Sequence, residues 1–223
     1  KCASKFFHKF FNEIARSSNL IKFNFDEYKL RYSMQKKLVN LYYDYGLQKG
    51  CIYAPIRKFN KFKNIDKYDV VLALRDPRDT LVSHYFSVLY SHDVNSKNFM
   101  KFRNKSKCNS IDQFVIDNSD WLLNILEGYM NNLKNYHFIN YEELIENPNK
   151  TIALLLNNLS LQLPKKKLID FISDLSPSSQ GEKINKHKRS GLSGQFKTHL
   201  KKNTIEYLNK KFEEPMKFYG FKI

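Results

Sequence analysis

Short apolar runs alternate with amphipathic stretches along this chain, a pattern that predicts alternating strands and helices. The runs short enough to be buried strands are residues 20–25, 51–54, 70–74 and 137–140. Phenylalanines and Ile14 recur at helical spacing over residues 4–16, which predicts a helix with one broad buried face. We therefore expect a single α/β domain over residues 1–223, with a mostly parallel sheet flanked by helices.

The rest of the pattern predicts further helices and two polar segments. Helices are expected over residues 34–45 (ended by Gly46), 111–133, 150–159, 164–175 and 204–218. A lysine- and asparagine-rich loop is expected over residues 95–109, and a polar segment over 176–200. A loop of this length in a compact domain is usually functional or mobile.

Charge is concentrated directly after the third strand. Arg75, Asp76, Arg78 and Asp79 follow Leu74, and Pro77 has a φ that suits the first turn of a helix. Ligands of open α/β sheets bind at the carboxyl ends of strands. Arginine there, together with the Ser83 hydroxyl two helical turns on, would suit a phosphate. The alternative is that the four charged side chains pair with one another at a solvated corner.

The overall charge favours an anionic partner. Lys+Arg number 38 and Asp+Glu 22, which gives a net charge of +16. Nucleic acid, an anionic polysaccharide, an acidic membrane and a polyphosphate nucleotide are all compatible with that field. The lysines are scattered, and no ribonucleoprotein, zinc-finger or basic-zipper pattern accompanies them, so we expect no specific nucleic acid partner.

The cysteines and the hydropathy indicate a compartment. Cys2, Cys51 and Cys108 are odd in number and widely spaced, so they form neither a disulfide framework nor a metal-binding pattern. This favours a reducing compartment, and we predict the cytoplasm. No apolar run approaches the roughly 20 residues that span a bilayer.

The stretch Arg-Asp-Pro-Arg-Asp-Thr-Leu-Val-Ser-His-Tyr at residues 75–85 resembles the 3′-phosphate-binding motif of sulfotransferases that depend on 3′-phosphoadenosine 5′-phosphosulfate (PAPS). Three other segments resemble motifs of the same family, in the same order. Residues 1–6 resemble its 5′-phosphosulfate loop, with Lys1 and Ser4 matching and Phe6 in the aromatic place, whereas Cys2, Ala3 and Lys5 depart. Residues 141–148 resemble its Tyr-Glu-Asp/Glu-Leu-x-x-Asn-Pro string, and residues 189–197 its late Arg-x-Gly-x-x-Gly loop.

The resemblance implies a fold and a set of ligands for the donor. The fold is the three-layer sulfotransferase fold, similar to that of P-loop NTPases, whose first strand would precede Lys1 and is missing from the given chain. Arg75, Arg78, Arg189 and Lys1 would converge on the charged donor. The residues expected to bind it are Lys1, Cys2, Ala3, Ser4, Lys5 and Phe6 (phosphosulfate), Arg75, Ser83, Arg189, Ser190 and Gly191 (3′-phosphate) and Tyr141 (adenine end).

The implied reaction moves a sulfuryl group from PAPS to an acceptor hydroxyl or amine, leaves adenosine 3′,5′-bisphosphate and needs no metal. Lys1 would stabilise the charge on the leaving oxygen. The family's Lys-Thr-His segment has no counterpart at residues 53–58, so the general base is open between His92, less favourably His84, and the pair Asp26 and Glu27.

Other functions stay open at this point. A P-loop kinase should show Gly-x-x-x-x-Gly-Lys-Ser/Thr, which is not in the sequence. A catalytically impaired protein that binds a nucleotide or nucleic acid is the non-enzymatic alternative. The acceptor is unidentified, although the basic surface favours an anionic or polymeric one over a lipophilic one.

Overall fold

The computed structural model describes residues 3–23, 46–56, 62–91, 97–175 and 193–223 of the chain. The strands within these ranges are β1 (Ile21–Phe23), β2 (Cys51–Tyr53), β3 (Val71–Leu74) and β4 (His137–Asn140). The α-helices are α1 (Ser4–Ser17), α2 (Pro77–Phe86), α3 (Lys97–Lys107), α4 (Ile111–Asp117), α5 (Ser119–Asn132), α6 (Tyr141–Glu146), α7 (Pro148–Asn158), α8 (Lys165–Leu175), α9 (Phe196–His199), α10 (Lys202–Lys211) and α11 (Glu213–Phe218).

The strands pair in parallel. Strand β1 lies beside β2 with Ile21 opposite Cys51, and β3 lies beside β4 with Val71 opposite His137. Parallel partners need long crossover connections, which helices usually supply. The prediction of an α/β fold with parallel strands flanked by helices is therefore confirmed.

The described residues divide into two compact units. The first, here called the strand unit, comprises residues 3–23, 46–56, 62–74 and 131–175. The second, here called the helical unit, comprises residues 75–91, 97–130 and 193–223. That the whole chain forms a single domain stays a prediction.

The core of the strand unit is built around α1. Phe10 and Ile14 are fully buried, and Phe7 and Phe11 nearly so. They pack with apolar side chains of β4, α6, α7 and α8, namely Ile139, Leu144, Ile152, Leu155, Leu156 and Leu175. The predicted buried face of the first helix is therefore confirmed.

The core of the helical unit joins helices that are far apart in sequence. Helix α2 packs against α4 and α9, and α10 packs against α4. The fully buried side chains of this unit include Leu81, Val82, Phe114, Leu208, Phe212 and Met216. This packing holds α2, the helix that carries the charged motif, on both sides.

The loop expected over residues 95–109 was a wrong prediction, because α3 occupies residues 97–107. The lysine-rich composition does not indicate that one side of this helix packs against the core. The Ser106 side chain is buried, the Arg103 Nε donates to the Val88 carbonyl at 2.8 Å, and the Phe102 ring lies 6.2 Å from that of Phe114. Tertiary packing thus stabilises a helix that composition alone does not favour.

Two long predicted helices are each broken once. The helix expected over 111–133 is interrupted at Asn118, whose side-chain amide donates to the Phe114 carbonyl at 2.8 Å and so ends α4. The helix expected over 204–218 is interrupted at Phe212, between α10 and α11. The helix predicted over 34–45 and residues 176–192 of the polar segment lie outside the described residues. In the part of the chain that the structure describes, no helix is long and apolar enough to cross a bilayer.

Candidate functional site

Helix α2 begins immediately after the charged turn. Asp76 is its N-cap, and the Asp76 side chain accepts a hydrogen bond from the Arg78 backbone N–H at 2.9 Å. Pro77 occupies the first helical position, where a missing N–H costs nothing. The predicted start of this helix is therefore confirmed, and it fixes where the motif side chains lie.

The four charged side chains of the motif form two ion pairs. Arg75 Nη2 lies 3.1 Å from Asp79 Oδ2, and Arg78 Nη2 lies 2.6 Å from Asp76 Oδ2. Arg75 is 6% exposed and Asp79 1% exposed. The charges do pair with one another, but the corner is buried rather than solvated.

Asp79 connects the motif to a distant part of the chain. Besides Arg75, its carboxylate accepts the backbone N–H of Gly194 at 2.7 Å and that of Phe196 at 2.9 Å. Gly194 has a φ of 76°, a left-handed conformation that glycine adopts without penalty. The carboxylate therefore holds the end of the segment that resembles the late loop against the start of α2.

Arg78 has a structural role. Its Nε and Nη2 bond the Asp76 carboxylate, its Nη1 donates to Asn209 Oδ1 at 2.7 Å, and its Nη2 also donates to the Lys222 carbonyl at 2.6 Å. The guanidinium carbon lies 4.0 Å from the centre of the Phe196 ring. Because each guanidinium nitrogen is bonded within the protein, Arg78 supports the fold here, and its attraction for the donor stays a prediction.

Ser83 lies on the same face of α2 as Asp79, since residues four apart on a helix are neighbours. Its side chain is half-buried. Asp79 and Ser83 therefore lie on one side of the helix, and the Arg75 guanidinium is bonded to Asp79. Burial raises the pKa of the nearby motif residue Tyr85, and the electrostatic interaction with Tyr90 raises it further. Binding of a 3′-phosphate by Arg75 and Ser83 stays a prediction.

His84, the less favoured candidate base, is packed among aromatic rings. Its ring centre lies 5.1 Å from that of Trp121, with the planes 28° apart, and 5.5 Å from that of Phe114. The other candidate bases, His92, Asp26 and Glu27, lie outside the described residues. So do the predicted donor ligands Lys1, Cys2, Arg189, Ser190 and Gly191.

In the strand unit, α1 begins within the segment that resembles the phosphosulfate loop, and donor binding by this segment stays a prediction. Ala3 is the N-cap with φ 53° and ψ 29°, and no side chain caps the helix. Ser4, Lys5 and Phe6 form the first turn, which has no acidic residue. Uncapped N–H groups and the positive end of the helix dipole suit an anion.

Tyr141 is the first residue of α6 in the strand unit and is 9% exposed. The preceding Asn140 is the N-cap, and its Oδ1 accepts the backbone N–H of Glu142 at 2.8 Å. This cap fixes the backbone at Tyr141 directly after β4. A role at the adenine end of the donor stays a prediction for this residue.

The sequence motif includes Asp79 but indicates no role for it, and nothing in the sequence indicates the contacts of Asn209 and the Lys222 carbonyl with Arg78. Arg75 directly precedes a predicted helix and Asp79 lies in its first turn. Their spacing of four residues favours an ion pair between them. The bonds to Gly194 and Phe196 join residues 115 and 117 positions apart and have no local signal.

Comparison with known proteins identifies relatives. A family model described as the sulfotransferase domain matches residues 55–220. Sulfotransferase 2A1 of Macaca fascicularis is 30% identical over 185 residues, and sulfotransferase 2A1 of Homo sapiens is 30% identical over 187 residues. Each alignment covers 74% of this chain and 62% of the relative. The chain thus spans less than two thirds of the length of these relatives, and the family match does not include residues 1–6 or Glu27.

Proposed function

The chain belongs to the sulfotransferase family, and we propose that it transfers a sulfuryl group from PAPS to a hydroxyl or amine of an acceptor. The products are the sulfated acceptor and adenosine 3′,5′-bisphosphate. Family membership supports sulfuryl transfer, and the residues of four separate motifs support PAPS as the donor.

The observation that carries the donor assignment is the Asp79 carboxylate. It holds Arg75 from the early motif together with Gly194 and Phe196 from the late one. Gly194 follows Arg189, Ser190 and Gly191 by three to five residues. We therefore assign these residues, with Arg75 and Ser83, to the 3′-phosphate, a group that ATP lacks.

The reaction itself follows from the charges involved. The acceptor oxygen or nitrogen attacks the sulfur in line, a new bond to sulfur forms, and the bond between sulfur and the bridging phosphate oxygen breaks. Lys1 would stabilise the negative charge that this oxygen gains, and the phosphosulfate would lie at the first turn of α1. His92 or the pair Asp26 and Glu27 would take the acceptor's proton.

The acceptor class and the compartment are part of the proposal. A net charge of +16 favours an anionic or polymeric acceptor through long-range attraction. Cys51 and Cys108 are free thiols, which fits the reducing cytoplasm.

A thermal-shift titration tests the donor assignment. A ligand at 100 times its dissociation constant stabilises by about 2.7 kcal/mol, which raises the Tm of a domain of this size by roughly 5–10 °C. We expect this shift with adenosine 3′,5′-bisphosphate and a much smaller one with ATP. No shift with the bisphosphate, or an equal shift with both nucleotides, contradicts the assignment.

Turnover tests the base. We expect either His92→Ala or Glu27→Gln to lower kcat about 100-fold or more while the affinity for adenosine 3′,5′-bisphosphate is unchanged. Asp26→Asn is the matched comparison for the carboxylate pair. If all three variants keep the activity of the wild type, none of these side chains is the base.

A further inference from the structure

Helix α3 carries a stripe of lysines that faces away from the core of the helical unit. Its sequence contains Lys97, Lys101, Arg103, Lys105 and Lys107 and no acidic residue. Arg103 is not part of the stripe, because its Nε donates a hydrogen bond to the Val88 carbonyl. Lys97, Lys101 and Lys105 are exposed and four residues apart, so they align along about 12 Å of one helix face.

Exposed apolar side chains border this lysine stripe on both sides. At 100° per residue, Met100 lies on one side of the stripe and Phe102 on the other. Met100 is 50% exposed and Phe102 is 36% exposed. The Phe102 ring lies 6.5 Å from that of His84, which in turn stacks on Trp121, a side chain that is 42% exposed. The apolar surface therefore continues from α3 onto α5.

Three acidic side chains of the neighbouring helices α4 and α5 have partners outside α3. Asp120, next to Trp121, lies 2.5 Å from the Lys211 ammonium. Asp112 accepts the backbone N–H of Lys201, and Asp117 accepts the side-chain amides of Gln113 and Asn109. The lysine stripe thus presents its positive charge beside an apolar surface.

We propose that this surface, formed by the lysine stripe with Met100, Phe102 and Trp121, docks the protein on a bilayer that contains anionic lipids. The lysines would bind lipid headgroups, and Met100, Trp121 and the exposed part of Phe102 would enter the interface between headgroups and acyl chains. The strength with which an amphipathic helix binds a membrane surface increases with its buried apolar area and with its electrostatic attraction to anionic lipids. The net charge of +16 adds long-range attraction to an anionic leaflet.

The apolar side chains favour a bilayer over a soluble polyanion. A polyanion in water would engage the lysines but would leave Met100 and Trp121 largely in contact with solvent. At a membrane interface the same side chains leave water, which is favourable in proportion to the apolar surface that is buried. This attachment is independent of the proposed sulfuryl transfer and would hold for the protein whatever its acceptor.

The chain contains one tryptophan and 14 tyrosines, so fluorescence excited at wavelengths that only tryptophan absorbs reports on Trp121 alone. The test compares vesicles of phosphatidylcholine with vesicles that contain 30% phosphatidylserine. We expect binding to the second kind only, with the emission shifted to shorter wavelength and quenched by brominated acyl chains. Absence of binding, or binding without the shift and the quenching, overturns the proposal.

Variants show whether membrane binding depends on the lysine stripe itself or only on the net charge of the protein. Each lysine near an anionic surface contributes roughly a fivefold gain in partitioning, so K97Q/K101Q/K105Q should lower the partition coefficient about 100-fold. The variant K150Q/K165Q/K166Q removes the same charge from exposed positions on α7 and α8 and should lower it about threefold at most. M100Q, which keeps helix propensity and charge, should lower it about threefold.

Circular dichroism confirms that each variant is folded. Equal losses in the two triple variants overturn the proposal, because net charge alone would then explain the binding. Unchanged partitioning of M100Q also counts against it. If heparin binds with the same dependence on the lysine stripe while vesicles do not bind, the surface is a polyanion site and the membrane proposal is wrong.

Discussion

Replacement of Asp79 by asparagine tests whether one carboxylate joins the two motifs. Asp79 is almost fully buried and accepts hydrogen bonds from the Arg75 side chain and from the N–H groups of Gly194 and Phe196. Asparagine has nearly the same size, so the change leaves no cavity. It removes the charge and turns one acceptor into a donor that would face other donors.

The magnitude follows from the burial. Removing one partner of a buried ion pair costs about 3–5 kcal/mol, because the other charge stays buried without compensation. Since the asparagine oxygen keeps one acceptor, we expect the lower end, about 3 kcal/mol. For a chain of this size this corresponds to a fall in Tm of roughly 6–12 °C.

Urea unfolding followed by circular dichroism measures the loss. Asp112→Asn is the matched control, because Asp112 also accepts a distant backbone N–H, that of Lys201 at 2.9 Å, but in an exposed place. We expect the control to lose less than about 1 kcal/mol. Asp79→Asn should also weaken the binding of adenosine 3′,5′-bisphosphate, since the late segment would lose its attachment to α2.

The result that would refute this reasoning is a small effect. If Asp79→Asn and Asp112→Asn lose equal stability, the Asp79 carboxylate does not hold the two segments together. If Asp79→Asn loses about 3 kcal/mol but binds the bisphosphate as the wild type does, the attachment is structural and does not serve the nucleotide.

Three further substitutions test other parts of the fold and site. Ser83→Ala should weaken binding of adenosine 3′,5′-bisphosphate about tenfold in a calorimetric titration, with unfolding free energy unchanged within about 0.5 kcal/mol; unchanged affinity excludes Ser83 as a ligand. Arg78→Lys should cost roughly 2–4 kcal/mol in urea unfolding, because lysine cannot reproduce the bonds to Asp76 and Asn209; wild-type stability would contradict its structural role. Ala3→Gly should raise the unfolding free energy by about 0.5 kcal/mol, because glycine adopts φ 53° without strain; a loss would contradict the strain at this cap.

Sequence patterns within a few residues were sufficient to predict individual strands and helices. The β4 strand occupies the predicted residues 137–140, and α2 begins at Pro77 as expected, because an apolar run and a proline at the first helical position act within a few residues. The buried face of α1 was predictable for the same reason, since phenylalanines at helical spacing fit one side of a helix.

Long-range packing accounts for what the sequence did not reveal. Helix α3 depends on contacts with Val88 and Phe114, which no property of residues 97–107 indicates. The roles of Asp79 and Arg78 depend on partners more than 100 positions away. A motif can therefore indicate which residues matter while leaving open whether they face a ligand or one another.

Because the two arginines of the charged motif pair with its two aspartates, the motif supplies little net positive charge to attract the donor. Arg75, Asp76, Arg78 and Asp79 together carry no net charge, because each arginine is paired with an aspartate. Asp79 nevertheless fixes the position of the Arg75 guanidinium, and a charge held in place costs no reorganisation when a phosphate binds. The remaining attraction for a polyanionic nucleotide must then come from cations outside this motif, and Lys1 and Arg189 are the candidates that the resemblance indicates. On this reasoning the conservative variant Arg75→Lys would keep the charge of the site but lose much of its affinity, because lysine is not held by Asp79 in the same geometry.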